Sequence, residues 1–153
     1  MSEKSVESTT FKIEKYFQDK EKLIEVLKYC EQFFVIIDTI QKKFRLRTGL
    51  TPAMIKDDIL KILSCFGVLN PIQSIAEAEE GNRKVRFYGQ LLNNHDAEDG
   101  KFVDAKAEKQ SLIHVCEYRK VRKIIKGYVE VCKTTLSVGQ SILKSAVENR
   151  DAT

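Results

Sequence analysis

The sequence predicts an all-α fold, a bundle of five or six helices with a long C-terminal helix. Three observations predict it. From Asp104 to Val147, the residues Val121, Ile125, Tyr128, Cys132, Leu136, Gly139, Leu143 and Ala146 fall three or four apart. That spacing is one apolar face of a helix, with charges filling most of the other positions. Gly and Pro are scarce, at seven and two, which leaves little turn chemistry for a many-stranded sheet. A hydrophobic fraction of 42% beside a charged fraction of 31% suits a helix-rich globular chain. Unbroken, the C-terminal helix would run about 60 Å, so shorter antiparallel helices are expected along it. The expected organisation is a disordered tail over 1–8, a single helical domain over 9–148 and a polar tail over 149–153.

Taken in order, Thr9 or Thr10 is placed to cap a short helix carrying Phe11, Ile13, Tyr16 and Phe17. Asp19 is the expected N-cap of the next helix. In it Leu23, Leu27, Cys30, Phe34, Ile37, Gln41 and Phe44 repeat at helical spacing, and the chain can stop at Gly49. Thr51-Pro52 is the clearest local signal: a capping hydroxyl, then Pro where a missing N–H costs nothing. Ile55, Ile59, Ile62, Leu63 and Phe66 follow on one face, and Gly67 is expected to end that helix. Asn70-Pro71 repeats the cap logic for another helix, weakened or ended at Gly81-Asn82. Asn93 to Gly100 reads as a polar, acidic loop. Asp104 is then the expected cap of the long helix, with Gly127 or Thr134-Thr135 as places where it would break or bend.

Catalytic signatures are missing. There is no phosphate-cradling Gly-rich loop, no H-E-x-x-H and no nucleophile elbow. His95 and His114 are far apart. The first reads as a solvated loop residue and the second as a boundary residue. Cys30, Cys65, Cys116 and Cys132 form no C-x-x-C pair and read as buried free thiols. Cys30 or Cys116 would be a nucleophile only if a base and an open cleft converged on it. The expectation is a non-enzyme with no cofactor and no metal.

Basic clusters carry more information. Arg119, Lys120, Arg122, Lys123 and Lys126 place five cations in eight positions, with Val121, Ile124 and Ile125 as the apolar side. Arg83, Lys84, Arg86 and Phe87 form a basic and aromatic segment. Lys42, Lys43, Arg45 and Arg47 close the second helix, where cations complement its dipole. Each cluster suits a solvated face, an anionic membrane, nucleic acid or an acidic protein. The formal charge of +4 falls short of a dedicated nucleic-acid binder.

Two stretches resemble a known family. Phe17 to Phe34 reads F-Q-D-K-E-K-L-I-E-V-L-K-Y-C-E-Q-F-F, and Arg83 to Leu92 reads R-K-V-R-F-Y-G-Q-L-L. They are similar to the N-terminal segment and the basic amphipathic helix of the peroxisomal membrane-elongation peroxins, the peroxin-eleven family. The resemblance implies a helix that inserts its apolar side into anionic membrane and promotes curvature. Membrane contact would then fall to Arg83, Lys84, Arg86, Phe87 and Leu91.

The first expectation for function is a non-catalytic interaction protein, an adapter or small subunit with a protein partner. A peripheral membrane protein stands second and a nucleic-acid binder third. With no signal peptide, and Phe33 to Ile37 as the longest apolar run, the expected location is intracellular, in the cytosol or on an organelle surface. No transmembrane segment is expected.

Overall fold

The computed structural model describes residues 13–95 and 100–151. Among them the chain is all-α, with five helices and no strand. Helix α1 covers 13–17, α2 Leu23–Leu46, α3 Pro52–Asn93, α4 Asp104–His114 and α5 Cys116–Asp151. A 3-10 turn, Lys20–Lys22, precedes α2. Asp19 caps it by accepting a 3.0 Å hydrogen bond from the Glu21 N–H. The expected tail over 1–8 and the Thr9 or Thr10 cap lie outside the described residues. So do residues 96–99 of the acidic loop.

The chain divides into two compact units. The first holds residues 1–26 and 74–123, the second 27–73 and 124–153.

In the second unit three helical segments pack on a regular seam. The buried residues of α2 include Cys30, Ile37, Ile40 and Phe44, and those of α3 are Ile55, Asp58, Ile62, Cys65, Leu69 and Ile72. The α3 set alternates spacings of three and four, the period that keeps a seam facing its neighbours in coiled-coil packing. Phe34 stacks on Tyr128 with ring centroids 3.9 Å apart, and Phe44 lies against Gly139. Both partners advance together, so α2 and α5 run parallel here. Lys43 pairs with Asp58 across the α2–α3 connection, so those two helices are antiparallel. The expectation of antiparallel packing on the C-terminal helix thus fails for α2. Gly139 earns its place by close approach. A Cβ there would sit 2.7 Å from Phe44 Cε2 and 3.0 Å from Ile59 Cγ1.

In the first unit α3 runs antiparallel to α4 and to the start of α5. Lys84 pairs with Glu108 and Tyr88 with Asp104. Glu80 meets Arg119 and Arg122, and Phe87 stacks on His114.

Several boundaries differ from the sequence reading. Helix α3 is unbroken through Gly67, Pro71 and Gly81. Pro71 deprives the Gly67 carbonyl of its hydrogen bond, a cost of about 3 kcal/mol. Both residues are exposed, so water can serve that carbonyl. Meanwhile Leu69, Ile72 and Ala76 stay buried on either side of the proline, and burying each large aliphatic contributes about 1.5–3 kcal/mol. The seam therefore carries the helix across. Thr51 does act as expected, accepting from the Met54 N–H at 3.3 Å.

The C-terminal stretch is two helices, interrupted at Val115 rather than at Gly127 or Thr134-Thr135. Val115 leaves helical geometry at φ −97°, ψ 12° and is fully buried. One turn earlier the Ser111 hydroxyl donates to the Ala107 carbonyl at 2.8 Å, a back-bond that bends helices. Gly127 is exposed and costs the helix only about 1 kcal/mol, too little to break it. Val103, not Asp104, is the N-cap of α4. Asp104 is instead the first helical residue and accepts from the Tyr88 hydroxyl at 2.9 Å. Helix α5 continues to Asp151, into the expected polar tail.

Candidate functional site

The structure places acidic partners against half of the predicted cations. In the first unit Arg83 donates to the carbonyls of Phe17 and Gln18, at 3.1 and 2.6 Å. These are orphan carbonyls at the end of α1, so Arg83 serves as a C-terminal cap from 66 positions away. It also lies over the Tyr118 ring at 4.4 Å and pairs with Glu79. Lys84 bonds Glu108 at 3.3 Å. Phe87 is half-buried, its ring parallel to that of His114 at 4.0 Å. Leu91 is half-buried as well. Arg86 is exposed and makes no ion pair among the described residues.

The α5 cluster divides in the same way. Glu80 receives Arg119 Nε at 2.8 Å on one carboxylate oxygen and Arg122 on the other. Burial pushes the Glu80 carboxyl up, but the hydrogen bonds and charges of the two arginines outweigh it and hold the group below its ordinary value. Lys120 pairs with Glu117 on its own helix. Lys123 and Lys126 remain exposed, without ion pairs among the described residues. Ile124 is exposed too, while Val121, Ile125 and Val129 are buried. The expected apolar face of α5 is therefore the buried one, with Ile124 left off it.

In the second unit Lys43 holds the carboxylate of Asp58, which is 2% exposed, at 2.9 and 3.3 Å. Lys43 thereby leaves the predicted patch and becomes the counter-charge of a core position. Lys42, Arg45 and Arg47 are exposed. Arg45 and Arg47 line a pocket of about 280 Å³ with Gln41, Phe44, Thr134, Thr135 and Val138.

Of the four cysteines, all free, Cys116 is exposed, which corrects the expectation of four buried thiols. It stands next to the interruption at Val115, where the helical periodicity restarts. Burial pushes the Cys30 thiol up to about 12. Burial and the nearby Cys65 raise Cys132 to about 11. Thiols held this high stay protonated and are poor nucleophiles. His95 is half-buried and donates from Nε2 to the Gly100 carbonyl at 2.7 Å. His114 is exposed and ends α4, against the expectation of a boundary residue within the long helix. Among the described residues no three His, Cys, Asp or Glu side chains gather as a metal would require.

Sequence reasoning missed one surface. Between Lys61 and Glu77 the sequence of α3 carries no charge at all. In the second unit its outward side presents Leu60, 62% exposed, and Leu63, 47% exposed, with Gly67 and Pro71 also exposed. In the first unit the same helix exposes Ala78, Gly81, Val85 and Leu92. The signal was available as a charge-free run, but dividing it at Gly67 and Pro71 hid its length. By length and composition α3 also meets the test for crossing a membrane, with mean hydropathy 1.5 over an 18-residue window that is 28% buried. The core helix of a soluble protein meets it as well.

Compared with family models, curated proteins and solved structures, the chain has no match. The peroxin resemblance therefore rests on its two quoted stretches.

Proposed function

We propose that the protein is a non-catalytic helical interaction module, an adapter or small subunit that binds a protein partner through the outward side of α3. The observation that carries this is the exposed side of the charge-free run 62–76 in the second unit, with Leu63, Gly67 and Pro71 in line and Leu60 one turn before them. A surface helix normally turns charge to water on the side away from the core. This one turns leucines and small residues, and it does so on a helix whose opposite side is already filled. Small residues beside exposed leucines let another helix approach closely. The test is affinity capture of the full chain from its source cell, compared with a Leu60→Glu, Leu63→Glu variant. Both leucines are exposed, so the variant should fold. Loss of the captured protein supports the reading, and equal capture by both forms overturns it.

A second reading, contact with an anionic membrane, draws on one feature, the length and hydropathy of α3. In the first unit its cations would be Arg86 and Lys123, since Arg83, Lys84, Arg119 and Arg122 are engaged by protein groups. Flotation with anionic liposomes at low salt tests it, and failure to float disposes of it.

A further inference from the structure

We infer that the second unit binds a small amphipathic carboxylate, one anionic group on an apolar body of about ten carbons, in the pocket where α2 ends beside α5. The inference goes beyond the interaction reading and uses a different surface. The pocket measures about 280 Å³, at the low end of small-molecule sites. Its floor is apolar and buried: Phe44 is 1% exposed, and half-buried Val138 adds to it. Its rim carries Arg45 and Arg47, both exposed and neither in an ion pair among the described residues.

A further observation points to a ligand. Thr135, 3% exposed, lines the pocket, and its hydroxyl has no hydrogen-bond partner. Its neighbour Thr134 and Ser145 on the same helix both donate back to the carbonyl four residues earlier, at 3.1 and 3.2 Å. A buried unpaired hydroxyl is costly to keep. A rotation of the Thr135 side chain toward the pocket would let a carboxylate drawn in by the arginines serve as its acceptor. The apolar floor demands a hydrophobic body behind that group, and two guanidiniums select the charge. The cations also complement the α2 dipole, which explains their presence but not the unpaired hydroxyl.

The test uses the full chain and a backbone amide NMR titration with decanoate, decanol and acetate as separate probes. Decanoate should shift the amides of residues 41–47 and 134–138 saturably, with decanol and acetate at least about tenfold weaker, the value of one charge-assisted hydrogen bond. Arg45→Gln and Arg47→Gln should each weaken decanoate about tenfold, and both residues are exposed, so the fold is not at risk. Thr135→Val should weaken decanoate while leaving the melting temperature equal or higher, which a merely structural hydroxyl would not do. Equal binding of decanol and decanoate, or of acetate and decanoate, overturns the inference. So does an absence of saturable shifts at millimolar decanoate, or their appearance elsewhere in the chain.

Discussion

Helix α3 is fastened by different chemistry in the two compact units. In the second, α3 from Pro52 to Gln73 buries a residue at every turn, and one lysine–aspartate pair interrupts an otherwise apolar seam. In the first, α3 from Glu77 to Asn93 has no fully buried residue. It is fastened by Glu80 to Arg119 and Arg122, by Arg83 to the end of α1, by Lys84 to Glu108 and by Tyr88 to Asp104. Apolar burial is strong per residue and is not screened, whereas ion pairs, even part-buried ones, are weakened by salt. The α3 segment of the first unit should therefore open before that of the second. Native-state hydrogen exchange would check this, with amides over 77–93 less protected than those over 55–72.

The largest effect is expected in the apolar seam. Phe44→Ala should destabilise by about 3–5 kcal/mol in urea unfolding, because the ring is fully buried against Gly139. Next comes Glu80→Gln, which leaves two part-buried guanidiniums without their carboxylate. A loss of about 1–3 kcal/mol is expected, with faster exchange confined to the first unit.

The same residue sets a pH dependence. Its folded pKa lies below the unfolded one, so its contribution is complete above the ordinary carboxylate range. That contribution is lost as pH falls through the lower folded value. Urea midpoints measured from pH 6 to 3 should fall more steeply for the native chain than for Glu80→Gln.

Smaller again is Gly139→Ala. The clash with Phe44 costs about 1–3 kcal/mol, and the helix propensity gained returns about 1. A net gain in stability would mean that the close approach of α2 and α5 has room to spare. Lys120→Ala should leave the urea midpoint essentially unchanged, since its pair with Glu117 is an exposed one on a single helix.

Much of the fold was legible, and the misses have common causes. Thr51 before Pro52 marked a true helix start because capping is decided within four residues. Gly67 and Pro71 carried a local signal of the same kind and were overridden, because Leu69, Ile72 and Ala76 bury against other elements. Val115 gave no local sign of a break. Its burial and the back-bond of Ser111 are consequences of packing. The predicted cations were identified correctly as cations but not by role. Arg119 and Arg122 find Glu80 from 39 and 42 positions away, and no charge pattern near them announces that.

The amino-acid order alone determined that this chain is helical, since a repeat of three and four apolar residues is a property of each segment by itself. Tertiary structure decided which breaks to ignore, which arginines to neutralise and which side of α3 to leave to solvent. Those outcomes depend on partners far along the chain, whose approach is set by packing rather than by spacing.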